Sequence, residues 1–254
     1  MFRVVIPARY ASTRLPGKAL LPVAGKPLLQ WVYRRACAAG AGEVLIATDD
    51  ERIASAASAF GAAVVLTARS HHSGTDRIAE VARARRWEPD DIVVNVQGDE
   101  PLMPPAVIAQ VAALLAAQPQ AHIGTLATPI TSLDELIDPN IVKVVTDARG
   151  MALYFSRAPI PWNRDGAPAG IGSQRDPGGA RRHRGLYAYR VAALLRLAQL
   201  PQGELEAREK LEQLRALEHG ISICVGDAVE EPGPDVNTLA DLELVGARLA
   251  RERV

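Results

Sequence analysis

Short apolar runs alternate with amphipathic stretches through the first half of this chain. Val4-Val5-Ile6 is a branched, uncharged run that ends at Pro7 and predicts a buried first strand. Leu28, Leu29, Val32 and Ala36 recur at helical spacing, predicting a helix over 28–38 that stops near Gly40 and Gly42. Val44 to Ala47 reads as a second buried strand. Asp49-Asp50 then open a helix that runs to Phe60 and stops at Gly61. Ala63 to Leu66 predicts a strand, 76–86 a helix, Ile92 to Val96 a strand and 105–117 a helix. Strands separated by helices of about ten residues are βαβ units, so a mainly parallel sheet flanked by helices is expected.

The texture changes near residue 122. His122 to Pro129, Val142 to Thr146 and Met151 to Ser156 read as strands joined by turns. Trp162 to Arg182 is rich in Gly, Pro, Arg and Asp and predicts a loop, mobile or ordered by a partner. Leu186 to Arg190 predicts a strand, 190–199 and 205–219 predict helices, Ile221 to Val225 a strand, and a terminal helix starts near Leu239. Without a repeat or a long linker, the economical reading is one α/β domain over 1–254, with a β-rich lobe at about 122–190 inserted in it.

The chemistry concentrates at strand ends. IPARYASTRLPGK, residues 6–18, follows the first strand directly and carries Arg9, Arg14 and Lys18. Ala8, Ala11, Ser12, Pro16 and Gly17 lie between them, small or loop-forming residues that let a backbone approach a ligand. Interleaved guanidinium and ammonium groups can surround several phosphates at once. The loop has neither the GxxxxGK[ST] of P-loop enzymes nor the GxGxxG of dinucleotide folds. A triphosphate cradle of the nucleotidyltransferase type fits it better. A merely solvated basic loop is the alternative, and its place at the carboxyl end of the first strand argues against that.

NVQGDEP, residues 95–101, also follows a strand directly. There Asp99 is a candidate for Mg²⁺, a hard cation that prefers carboxylate, phosphate and water oxygens, while Gly98 keeps the approach open. The competing reading is that Asp99 and Glu100 only cap the next helix. SGTDR, residues 73–77, opens a helix: Ser73 or Thr75 suits an N-cap, and helix-start N–H groups can also read a base or ribose. His71 and His72 have no Cys or His nearby at metal-ligand spacing and read as solvated loop residues.

Composition narrows the partners. At 254 residues and 48% hydrophobic the chain can bury one large core or two modest ones. Lys and Arg number 29 against 29 Asp and Glu, which argues against a polymer-coating nucleic-acid binder but allows a small anionic ligand on a local basic cluster. Cys37 and Cys224 lie far apart among apolar or small neighbours and read as buried free thiols of a reducing compartment. The apolar run at the start is too short for a signal peptide, and 105–117 is too short to span a bilayer, so a soluble cytoplasmic protein is expected.

Taken together, IPARYASTRLPGK, SGTDR, NVQGDEP, PNIVKVV (139–145), YFSRAPIPW (154–162), HRGLYAYR (183–190) and KLEQLRALE (210–218) resemble the 3-deoxy-manno-octulosonate (Kdo) cytidylyltransferase family, in order over nearly the whole chain. The resemblance implies a Rossmann-like nucleotide-diphosphosugar transferase fold and a homodimer joined through the β-rich lobe. It also implies conversion of CTP and Kdo to CMP-Kdo and pyrophosphate, feeding lipopolysaccharide inner-core synthesis. By match to the family's motifs, Lys18, Arg14 and Asp99 would be catalytic, and Ala8, Arg9, Ser12, Arg14 and Lys18 would hold the triphosphate. Ser73, Thr75 and Arg77 would lie near the cytidine, and Gln97, Arg157, His183, Tyr187, Glu212 and Gln213 would surround the sugar acid. Related cytidylyltransferases for sialic acid or amino-substituted Kdo, and a non-catalytic nucleotide sensor, are the rival readings.

Read as residues alone, several of these have plainer roles. Glu212 can pair with Arg208 or Arg215 across a helical turn, and one of Tyr187 and Tyr189 can be core. Arg181, Arg182 and Arg184 can be a solvated charge run. Arg157 is harder to dismiss, because a charge in a cleft needs a partner. One departure from the family stands out: where it has an aspartate in a VDTPEDL-like segment, taken as the second carboxylate on magnesium, this chain reads VNTLADL with Asn237. The expectation is that Asp99 holds Mg²⁺ with support from Asn237 or, if its loop turns inward, from Asp235.

Overall fold

The computed structural model describes residues 1–11, 15–71, 73–174 and 176–251. The first half alternates as the periodicity predicts. β1 (Phe2–Ala8) sends Val4 and Ile6 to one sheet face and Val5 to the other, the two-residue period of a strand buried on both sides. A 3-10 turn at Lys18–Leu20 and a small hairpin, β2 (Pro22–Val23) and β3 (Lys26–Pro27), lead into α1 (Leu28–Ala38). There follow β4 (Glu43–Thr48), α2 (Glu51–Ala59), β5 (Ala63–Leu66), α3 (Gly74–Ala84), β6 (Ile92–Asn95) and α4 (Pro105–Ala116). The helix predicted over 76–86 begins two residues sooner, because Ser73 and Asp76 form a reciprocal capping box.

The second half comprises β7 (Ile123–Pro129), α5 (Leu133–Ile137), β8 (Lys143–Thr146), β9 (Ala152–Ser156), β10 (Arg181–Arg190), α6 (Val191–Leu197), α7 (Glu204–Glu209), α8 (Glu212–Glu218), β11 (Ile223–Asp227) and α9 (Leu239–Arg251). In the sheet, β5, β4, β1 and β6 run parallel. β10 then enters antiparallel between β6 and β7, and β11 lies parallel beside β7.

One irregularity in this sheet positions the site. β10 keeps β7 on one side throughout, but its other neighbour changes. Residues 187–190 pair with β6, whereas Arg181 and Arg182 pair with Val144 and Lys143 of β8, and β9 continues beyond β8. The register shifts between Arg184 and Tyr187, so the sheet forks there. The mouth of the fork lies just past the carboxyl end of β6, where parallel α/β sheets leave their ligand crevice.

Two large apolar clusters fill the faces of the sheet. α1 and α4 cover Val4, Ile6, Val94 and Leu186, while α3, α6 and α8 cover Val5, Leu45, Val93 and Tyr189. A third cluster joins Val23, Leu28, Trp31, Leu102, Val236, Val245 and Leu249, and it clamps α9 over the β2–β3 hairpin. Val236 is fully buried there, which holds the segment before α9 against the crevice.

The structure corrects four sequence expectations. β10 begins at Arg181, so the end of the predicted loop and the supposed solvated arginine run belong to a strand. Its charges are paired: Arg181 with Asp227, Arg182 with Glu135 and Arg184 with Glu231. The single helix predicted over 205–219 is two, broken at Lys210, whose backbone is left-handed (φ 56°). Cys37 is exposed on the outward side of α1, and only Cys224 is buried. Arg215 does not reach Glu212. It makes a bidentate pair with Glu206 at 2.6 and 2.7 Å, tying α7 to α8 across the break, while Arg208 pairs with Glu204. Among the described residues no helix is long and apolar enough to cross a membrane.

Glu206 is only 5% exposed, so removing its partner strands a buried carboxylate. Arg215→Met is expected to lower stability by about 3–5 kcal/mol, read from the urea midpoint. Adding Glu206→Gln should restore part of that loss.

Candidate active site

The basic loop and the acidic strand end meet. Nζ of Lys18, at the start of the 3-10 turn, donates to Oδ2 of Asp99 at 2.6 Å and to the Val236 carbonyl at 2.7 Å. The Val236 N–H in turn donates to the Asp99 carbonyl at 2.9 Å. Three segments distant in sequence thus share one point: the loop after β1, the end of β6 and the approach to α9. Two glycines permit the approach. A Cβ on Gly98 would stand 3.0 Å from the Pro7 carbonyl, and Gly17 has φ +69° with the Tyr10 ring 3.1 Å from where its Cβ would be. The Gly17 N–H donates to the Tyr10 carbonyl at 3.0 Å, closing the loop on itself. Arg52, held by Asp50, stacks over the Tyr10 ring at 3.3 Å. Ala8 is the buried last residue of β1, Arg9 is exposed beside it, and Ser12 and Arg14 lie outside the described residues.

Acidic groups gather beside this junction. Glu100 follows Asp99, and burial, with Asp99 and Asp235 as like-charged neighbours, pushes its carboxyl up to about 8. Its Oε2 is buried without a hydrogen-bond partner among the described residues. Glu100, His183, Arg184, Glu231 and Asp235 share the lining of a cleft of about 550 Å³ behind the β10 irregularity. Asn237 turns its side-chain amide to donate to a carboxylate oxygen of Asp235. Its carbonyl oxygen is therefore not the group that this contact presents, and Asp235 is the carboxylate that it orients. Among the described residues no cluster of three or more His, Cys, Asp or Glu is arranged to hold a metal. Mg²⁺ does not need one: one or two carboxylates with substrate phosphates and water complete its shell, so Asp99 with Asp235 fits that donor set.

SGTDR divides its labour along the motif. The Ser73 hydroxyl accepts the Asp76 N–H at 3.0 Å as the cap of α3. The Thr75 hydroxyl donates to Glu212 across the crevice, joining α3 to the start of α8. Arg77 is buried behind them. Its side chain is 1% exposed, binds Thr67 and stands 3.2 Å from Asp49, so it ties the ends of β4 and β5 to α3. The helix turns this position inward with Ile78 and Val81, and a long side chain there becomes an interior strut.

The residues matched to the sugar acid gather around the fork. Gln97 follows β6, with its amide oxygen 3.8 Å from where a Gly74 Cβ would stand. His183 and Tyr187 project from β10 in an aromatic row that runs Phe155, His183, Tyr187, Tyr189 with centroid spacings of 4.9, 5.3 and 5.8 Å. Tyr189 is the core member, buried under α3 and α8. Burial raises the Glu212 carboxyl, which the Thr75 hydroxyl partly offsets, and Gln213 beside it is buried. Arg157 stands at the end of β9, its Nε donating to the Glu209 carbonyl at 2.7 Å and its Nη1 to the Pro139 carbonyl at 2.8 Å. Sequence reasoning passed over the Val236 carbonyl, Glu209 and Lys143. Each works through or upon a main-chain group, which no residue-type pattern displays.

His183 Nε2 lies 3.0 Å from the Thr125 hydroxyl, and burial beside Arg184 holds its imidazole down to about 3. The folded state therefore refuses a proton that the unfolded chain accepts below its ordinary value of 6.5. Stability contributed by neutral His183 is present above that value and is lost as pH falls. Between pH 6.5 and 5 the wild type is expected to lose up to about 1.4 kcal/mol per pH unit relative to His183→Gln, checked by urea unfolding of both proteins across that range.

Known proteins resemble this chain over nearly its whole length. Residues 3–223 match the cytidylyltransferase family. The 3-deoxy-manno-octulosonate cytidylyltransferase of Halorhodospira halophila is 54% identical over 252 residues, covering 99% of this chain and 98% of that one. The protein of the same name from Cellvibrio japonicus is 56% identical over 249 residues, covering 98% of each. A solved CMP:2-keto-3-deoxy-manno-octonic acid synthetase, complexed with CTP, superposes with a TM-score of 0.88 at 42% identity, over 99% of this chain and 100% of that chain. By its family match over residues 3–223, its 54–56% identity over nearly the whole length of those relatives and its superposition on the solved synthetase, the chain belongs to the cytidylyltransferases, as a nucleotidyltransferase of the 3-deoxy-manno-octulosonate cytidylyltransferase family.

Proposed function

We propose that this enzyme transfers CMP from CTP to the anomeric hydroxyl of Kdo, releasing pyrophosphate and supplying CMP-Kdo for the lipopolysaccharide inner core. The observation that carries the reading is the 2.6 Å contact between Lys18 and Asp99, which puts a cation of the amino-terminal loop beside the carboxylate at the end of β6. The sugar hydroxyl attacks the α-phosphorus in line with the departing pyrophosphate, and negative charge builds on the phosphoryl oxygens and the leaving group. Lys18, fixed between Asp99 and the Val236 carbonyl, offers its ammonium to that charge. Arg9 and Arg14 belong to the same loop and serve the β and γ phosphates. Asp99 and Asp235 would hold Mg²⁺, which when bound supplies positive charge to the phosphate oxygens and acidity to a coordinated hydroxyl. Asn237 serves by orienting Asp235.

On the sugar side, Gln97, Arg157, His183, Tyr187, Glu212 and Gln213 line the fork as the acid's binding groups. His183, held neutral in this reading, contributes a hydrogen bond and not a charge. Ser73 and Thr75 stand toward the cytidine at the start of α3. The enzyme works as a cytoplasmic homodimer joined through the β-rich segment, a reading supported by the exposed apolar side chains of Leu153, Trp162 and Ile171.

A coupled pyrophosphate assay over four nucleotides and several sugar acids tests the reading. Release from CTP with Kdo alone is expected. Turnover of sialic acid or amino-substituted Kdo in preference would reassign the acceptor, and no release with any pair would leave only nucleotide binding. Lys18→Met is expected to cost roughly tenfold to a hundredfold in kcat/KM, the equivalent of one charge-assisted contact of about 1.5–3 kcal/mol. Titrating Mg²⁺ against activity should move the midpoint upward in Asp235→Ala and less in Asn237→Ala. An unmoved midpoint in both variants would remove this segment from the metal site.

A further inference from the structure

Lys143, at the start of β8, is fully buried although it is charged. A core position of that size ordinarily takes an apolar residue, and an ammonium there must have its donors satisfied. All three are. Nζ donates to the carbonyls of Asp138 at 3.0 Å, Ile141 at 2.6 Å and Arg157 at 2.7 Å. Two of these carbonyls belong to the turn 138–141, and the Pro139 carbonyl of the same turn accepts Nη1 of Arg157 at 2.8 Å. The lysine therefore holds both the main chain of Arg157 and the turn that receives its guanidinium.

Glu209 closes the opposite side. Its carboxylate accepts the Arg157 N–H at 3.0 Å and the Ser156 hydroxyl at 2.6 Å, and its main-chain carbonyl accepts Nε of Arg157 at 2.7 Å. That carbonyl is turned outward because α7 stops at Lys210, whose left-handed backbone ends the helix. Arg157 is thus gripped by its N–H, its carbonyl, Nε and Nη1. So many constraints are more than a solvated arginine needs, and they fix the direction of one guanidinium at the mouth of the fork.

We propose that Lys143 and Glu209 are positioning residues that set the sugar-acid specificity of the enzyme by bracketing Arg157, without touching the substrate themselves. The inference rests on the reading of Arg157 as a sugar-acid residue. Its substrate-side target is an anionic or strongly hydrogen-bonding group, which a planar guanidinium recognises only in a fixed orientation.

Steady-state kinetics of Lys143→Met, Glu209→Ala, Arg157→Ala and Lys143→Met/Arg157→Ala, with CTP and Kdo varied in turn, test it. Methionine keeps the stem volume and removes the ammonium. The expected result is a KM for Kdo raised by about tenfold in each single variant, with the KM for CTP within about twofold of wild type. The double variant should be no worse than Arg157→Ala alone, since the bracket acts through that residue. Equal rises in both KM values, an unchanged KM for Kdo, or additive losses in the double variant would overturn the proposal. If Lys143→Met does not fold, Glu209→Ala decides by the same split between the two substrates. If Arg157→Ala leaves the KM for Kdo unchanged while pyrophosphate is still released from CTP and Kdo, the bracket is refuted and the overall reaction stands. Absence of pyrophosphate release in the wild type would refute the reaction itself.

Discussion

Everything in this crevice is arranged around one ammonium. The Lys18 side chain touches both Asp99 and the segment before α9, so three parts of the chain meet at it. A lone ammonium would retain a hydration shell. Here a carboxylate and a carbonyl replace part of it, so under the proposed function the charge is pre-placed for a polyphosphate and little reorganisation is left for the reaction. The hydrophobic cluster about Val236 makes this possible, since a buried valine holds its own carbonyl in place. Packing and catalysis meet at a single peptide unit.

Under the proposed function the fork of the sheet does the equivalent work for the sugar acid. A continuous sheet would present β10 flush against its neighbours. Because the strand exchanges β6 for β8 along its length, the residues around its irregularity face a gap bounded by two strand ends. Gln97 and Asp99 come from one bank, Arg157 and Lys143 from the other. The aromatic row through His183 and Tyr187 lies along the floor, and its burial keeps the imidazole uncharged beside Arg184. Under the proposed function anion recognition is thereby left to the arginines, whose charge does not titrate near neutral pH.

What was legible in the sequence was what is locally encoded. The apolar run Val4–Ile6 and the three-to-four spacing in Leu28–Ala36 are properties of neighbouring residues, and the elements formed where they predict. The meeting of Lys18 with Asp99 was legible for a different reason: both follow parallel strands, whose carboxyl ends share an edge. β10 was half-hidden because Arg181 to Arg184 read as a charged run, and only partners from distant segments make it a strand. The burial of Arg77 was not legible because a short motif does not say which side of its helix faces inward. The split after Glu209 was invisible, since a left-handed lysine carries none of the marks of glycine or asparagine.

Val236 also bears on how the molecule is made. The parallel core is complete in sequence long before residue 236, yet the groove acquires its final wall only when that valine docks. A nascent chain emerging from the ribosome can therefore assemble most of its scaffold while Lys18 still lacks one of its two anchors. The Val236 carbonyl is thus the last part of this junction to be synthesised.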